Sequence, residues 1–148
     1  MKKILKHPKV SIIIPCKQLD DELINCVNYC KKIAYHSTEI LVLPDHDDMK
    51  IKGVTIINTG KVYPSIKMNI GVKSSTGNII AFIDSDAFPS KEWIQNALII
   101  LAEPDVAVVG GPNILPDDSS LYEQVSYEVL YSKLGVLSLY PEKKYKYF

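Results

Sequence analysis

Asp84 and Asp86 stand one residue apart in "GNIIAFIDSDAFPS" (77–90), directly after an apolar run and with the small Ser85 between them. Carboxylates lose free energy when they lose water, so two of them at the end of a buried run point to a ligand that replaces that water. They are hard oxygen donors of the kind Mg²⁺ and Mn²⁺ take, and Mg²⁺ is characteristically held by one or two carboxylates together with substrate phosphates. The pair therefore suits a metal-bound diphosphate. The plain alternative is an acidic end to a strand that caps the following loop. A second acidic cluster, "PDHDD" (44–48), follows another apolar run. Two such clusters at the ends of two buried strands argue together for one ligand rim. His46 lacks a partner at metal-ligand spacing and reads as a loop histidine, as do His7 and His36.

The elements that must hold these residues alternate. "KVSIIIP" (9–15), "EILVLP" (39–44), "GVTIIN" (53–58), "NIIAFI" (78–83) and "VAVVG" (106–110) read as five strands, continuous in apolar character and so covered on both faces. Between them, residues 20–34 carry Leu23, Val27, Cys30 and Ala34 at helical spacing, with Asp20 or Asp21 as the cap. Residues 64–77 predict a helix from Ser65 with Ile66, Ile70 and the stem of Lys73 on its buried side, ending near Gly77. Pro89 and Ser90 open a helix whose stripe is Ile94, Ala97, Leu98 and Leu101 beside Trp93. A last helix is expected from about Ser120 to Leu134. The order predicts an α/β fold with a Rossmann-like, mostly parallel sheet and helices on both faces. In such sheets ligands bind beyond the carboxyl ends of the strands, where Asp45, Asp84 and Asp86 fall.

Composition narrows the partner. With 148 residues the chain is the length of one domain, and 17 Lys plus Arg balance 17 Asp plus Glu. No basic footprint argues for nucleic acid, so a small molecule is expected. Three cysteines and no secretory signal read as reduced thiols in a cytoplasmic protein. Cys26 and Cys30, four apart on one helix, lack a third ligand and read as packing residues. No apolar run approaches the ~20 residues of a membrane span.

"VSIIIPCKQ", "EILVLPD", "SIKMNIGVKSSTGNIIAFIDSDAFPSKEWI" and "VAVVGGPN" resemble, in order and spacing, the inverting GT-A glycosyltransferases of family 2. The resemblance covers about residues 9–135 and is most specific from Asn69 through Trp93. It implies that Pro15 and Cys16 lie where the nucleotide base is held, that Asp45 hydrogen-bonds the base, that Asp84 lies near the ribose with Ser85 beside it, and that Asp86 coordinates a divalent metal, Mg²⁺ or Mn²⁺. It further implies a nucleotide-diphosphate sugar as donor and a glycan, lipid or protein as acceptor.

The chain departs from the family pattern at several places. Cys16 and Lys17 stand where the family often has Thr and an aromatic, and Met68 stands where an Arg often precedes Asn69. Lys67 either supplies that cation to the diphosphate or is exposed to solvent. The family's acceptor base comes from well beyond the fifth strand. Asp117, Asp118, Glu123 and Glu128 are the downstream acids of the matched region, none in the base motif, so the catalytic base is unassigned. The expectation is a single nucleotide-sugar-binding domain over residues 1–148, truncated at its C-terminal side relative to the family. Membrane association is also compatible with the resemblance.

Two other readings remain open from the residues. One is a non-catalytic nucleotide-sugar-binding or interaction fragment, in which Tyr122, Tyr127, Tyr131, Leu134, Val136, Leu137 and Leu139 bury against a second copy or an absent C-terminal segment. The other is a haloacid-dehalogenase-like phosphatase, with the first Asp of the pair as nucleophile. Its motif belongs on an early strand, whereas this one lies on the fourth.

Overall fold

The fold, taken from a computed structural model, is described for residues 7–46, 48, 50–111, 114–116 and 119–132. The chain divides into two compact units, Met1–Ala107 and Val108–Phe148. In the first, the β-branched run of the opening strand becomes β1 (Val10–Pro15), all six residues buried, and β2 (Thr38–Leu43) pairs with it in parallel from Val10↔Thr38 to Pro15↔Leu43. A two-residue β3 (Thr55–Ile56) joins the outer edge of β2, and β4 (Ile79–Phe82) joins the other side of β1. The sheet order is β3-β2-β1-β4 and every pairing is parallel.

Alternation along β1 divides the core between the two faces. Val10, Ile12 and Ile14 point to one face, where they meet Leu23, Cys26, Val27 and Cys30 of α1 (Asp21–Lys31) and Ile94 of α3 (Trp93–Leu101). Ile13 points to the other, with Leu41 and Leu43 beside it, under α2 (Pro64–Ser74). Each such fully buried aliphatic contributes roughly 1.5–3 kcal/mol. Asp20 is the cap of α1: its carboxylate accepts from the Leu23 N–H at 3.0 Å.

Glu39, at the start of β2, ties the opposite end of the sheet together. It accepts from Ser11 Oγ at 2.5 Å, Thr76 N at 2.6 Å, Thr76 Oγ1 at 2.8 Å and Lys9 Nζ at 2.8 Å. These bonds lock β1, β2 and the loop after α2 into one register. Gly77, in that loop, donates its N–H to Ser11 Oγ at 2.9 Å, and a Cβ there would run into Ser11 and the Lys9 carbonyl.

Several expectations are corrected. Residues 106–110 form no strand, and Val108 is 85% exposed. An apolar run supplies β propensity but no ladder partner, and without pairing a strand does not form. β4 is half-buried, with Phe82 45% exposed, where continuous burial was expected; among the described residues it pairs on one side only. On α2 the buried positions are Lys67 and Gly71, while Ile66 is exposed and Ile70 half-buried. Gly71 decides this face: a Cβ there would come within 2.6 Å of Ile13 Cγ2 and 3.3 Å of Leu43 Cδ1, so the helix seats against the sheet where a side chain is missing.

In the second unit α4 (Leu121–Tyr131) starts with a capping box between Ser120 and Glu123, and hydrogen bonds from Ser120 hold the Glu123 carboxyl below its ordinary range. Tyr122 is exposed and Tyr127 stacks on Tyr131 with centroids 4.3 Å apart. Leu134, Val136, Leu137 and Leu139 lie outside the described residues. No helix among the described residues is long and apolar enough to cross a membrane.

Candidate functional site

The strand register builds a rim. Pro15 lies opposite Leu43, and Ile13 lies opposite Phe82, so β1, β2 and β4 deliver their next residues to the same end of the sheet. The β1–β2 ladder runs on past the strands, with Cys16 N–H donating to the Leu43 carbonyl at 3.1 Å and Asp45 N–H to the Lys17 carbonyl at 2.9 Å. From the other side Gly60 N–H donates to the Asp45 carbonyl at 2.8 Å, and Thr59 bonds the Pro44 carbonyl through both its N–H and its hydroxyl. Gly60 has φ +72°, a left-handed turn that glycine accepts without strain. Asp45 is thereby pinned between two backbone neighbours.

Lys67 reaches this rim from α2. It is 3% exposed, and its ammonium donates to the Cys16 carbonyl at 2.5 Å, the Leu43 carbonyl at 3.3 Å and Asp45 Oδ1 at 2.5 Å. Three N–H donors meet three acceptors, which is what makes a buried ammonium tolerable. The solvent-exposed alternative for Lys67 is therefore overturned: burial of the 67/71 row against the sheet takes it out of water.

These residues border an open cleft of about 1080 Å³. Of the residues expected at a site, Pro15, Cys16, Asp45, Lys67 and Ser85 line it. Asp84 and Asp86 flank Ser85 on an exposed turn just beyond β4 and do not themselves line the cleft. That turn is fastened to α1. The Cys26 thiol donates to the Asp84 carbonyl at 3.5 Å, and Tyr29, one turn along the helix, packs on Phe88 with ring centroids 5.2 Å apart. Cys26 and Cys30 thus serve packing and position, and the hydrogen bond with Cys26 together with burial pushes the Cys30 thiol well up.

The carboxylates of Asp84 and Asp86 are both exposed to solvent. Among the described residues no group of three or more His, Cys, Asp or Glu side chains converges on a metal position. Asp47 of the second acidic cluster, and Asp117 and Asp118, lie outside the described residues, while Glu123 is held by its cap.

Sequence reasoning missed Lys17, Lys61 and Tyr63, which also line the cleft. Tyr63 is 79% exposed and immediately precedes α2. The signal was available in "TGKVYP", a glycine turn and a helix-opening proline bracketing a cation and an aromatic.

Parallel strands with helices on both faces and a cleft beyond their carboxyl ends define an α/β domain of the doubly wound kind. Residues 11–147 match the sequence pattern of Glycosyl transferase family 2, and the chain belongs to that family. It is 25% identical over 118 residues to glycosyltransferase AglE of Haloferax volcanii, a match covering 70% of this chain and 39% of AglE. Its fold is similar to the mannosyltransferase PcManGT from Pyrobaculum calidifontis, solved in complex with GDP-Man and Mn²⁺ (TM-score 0.58, 20% identity, 68% of this chain and 34% of that one). It is likewise similar to S. aureus TarS 1–349 in complex with UDP-GlcNAc (TM-score 0.54, 20% identity, 63% of this chain and 31% of that one). The sheet is thus of the GT-A, Rossmann-like type, and the chain spans about two fifths of AglE and a third of these solved structures.

Proposed function

We propose that the cleft binds a nucleotide-diphosphate sugar and that the chain is the donor-binding part of an enzyme passing that sugar to an acceptor hydroxyl. The observation that carries this reading is the joint placement of Asp45 and Ser85, from two separate strand ends, on one cleft in a family 2 chain. Asp45 accepts from the base, Pro15 and Cys16 bound its pocket, and Asp84 sits toward the ribose. Tyr63 offers a ring for stacking that the residues after β1 do not supply. Asp86 would hold Mg²⁺ or Mn²⁺, which when bound stabilises the negative charge developing on the departing nucleoside diphosphate. Lys17 and Lys61 bring positive charge to the same cleft. The donor complexes of PcManGT and TarS support a ligand of this class.

The test is calorimetric titration of the chain with UDP and with GDP, each in Mn²⁺ and in EDTA, repeated on Asp86→Ala. Metal-dependent binding by one nucleotide, lost in Asp86→Ala while the fold persists by circular dichroism, is the expected result. Binding in Asp86→Ala as tight and as metal-dependent as in the unmodified chain would refute the assignment of Asp86. No binding of either nucleotide would favour an interaction fragment.

A further inference from the structure

We propose that Lys67 is a positioning residue, one that sets the carboxylate of Asp45 for the nucleoside and does not contact the diphosphate. This rests on the nucleotide-sugar reading of the cleft. Lys67 is 3% exposed, and its ammonium already donates to Asp45 Oδ1, the Cys16 carbonyl and the Leu43 carbonyl. A phosphate oxygen could gain an N–H only by displacing one of these acceptors; the Leu43 carbonyl would keep the Cys16 N–H, but the Cys16 carbonyl or the Asp45 carboxylate would lose the ammonium.

The three acceptors all belong to the two strand ends that border the cleft, so one side chain from α2 fixes the ends of β1 and β2 and the carboxylate between them. Lys67 engages Oδ1, and the second oxygen of Asp45 is the one a base N–H would use. Both side chains border the cleft, but that of Asp45 keeps 29% exposure and that of Lys67 only 4%. A charged acceptor held at one oxygen by a buried cation presents the other in a fixed direction, which is how a first contact is preorganised by its support.

The test compares UDP with uridine, and GDP with guanosine, on the unmodified chain, Lys67→Gln, Asp45→Asn and the double variant. For a positioning role, Lys67→Gln weakens nucleotide and nucleoside by the same factor, about tenfold for loss of a charge-assisted bond, and adds little once Asp45 is already Asn. Loss of nucleotide affinity with nucleoside affinity kept would mean that Lys67 touches the diphosphate and would overturn the proposal, as would full additivity of the two changes.

A ligand-free measurement guards against variants that fail to fold. The Lys67 ammonium resonance in ¹⁵N NMR of the unmodified chain is expected to be protected from solvent exchange and to shift in Asp45→Asn. A freely exchanging signal, insensitive to Asp45→Asn, overturns the proposal whatever the nucleotides do. A protected signal in a chain that binds neither UDP nor GDP overturns the nucleotide reading, and the positioning role with it, while leaving the ion pair standing.

Discussion

Replacing Glu39 by Gln tests how the sheet is locked at the end opposite the cleft. Burial works to raise the Glu39 pKa, but the hydrogen bonds from Lys9, Ser11 and Thr76 outweigh it and bring the carboxyl from 4.5 down to about 2. A folded pKa below the unfolded one means the group contributes stability that is complete above pH 4.5 and is lost as pH falls through about 2. The full difference corresponds to about 3 kcal/mol. Because the Glu39 side chain keeps 22% exposure and that of Lys9 keeps 42%, solvent screening lowers the expectation to about 2 kcal/mol. Gln keeps one acceptor oxygen but turns an NH₂ toward donors. Urea unfolding of both proteins at pH 7 should show the variant less stable by about that amount with an unchanged m-value, and less than half of the gap should remain at pH 3. Equal midpoints at pH 7, or a gap as wide at pH 3 as at pH 7, would refute the account.

Gly71→Ala places a methyl against Ile13 and Leu43; overpacking should exceed the gain in helix propensity and cost about 1–2 kcal/mol in urea unfolding. Asp20→Ala removes the α1 cap and should cost about 1 kcal/mol by the same assay. With Cys30 buried and its thiol pushed up, a thiol reagent at pH 8 should modify Cys30 only after unfolding, and rapid labelling of the native chain at that residue would contradict the packing described for α1. Ser120→Ala should fray the first turn of α4, seen as accelerated amide exchange at Glu123.

The ends of the strands were legible wherever a local signal marked them. Pro15 and Pro44 mark the ends of their apolar runs, and Asp45 and the Asp84–Asp86 pair come just after such runs, so their position beyond the carboxyl ends of β2 and β4 followed from strand order, although Asp84 and Asp86 do not line the cleft. The burial of Lys67 was not legible. Its neighbours Ile66 and Ile70 offered a more apolar face for α2, and only the missing Cβ of Gly71 let the helix seat the other way. The strand expected at 106–110 failed for the same kind of reason, since an apolar run does not contain its partner.

The sequence by itself determined the alternation of strands and helices, the parallel sheet and the end of it at which the acidic residues gather. Periodicity, caps and prolines act over a few residues and are written in the chain directly. Tertiary structure decided that α2 buries a lysine, that its ammonium binds Asp45 and two strand-end carbonyls, and that Lys61 and Tyr63 border the same cleft as Ser85. Those outcomes depend on which surfaces meet across 18 to 51 positions of sequence, as the bonds from Lys67 to Cys16 and the shared cleft of Ser85 with Lys67 illustrate, and close packing of one helix on one sheet face settles them.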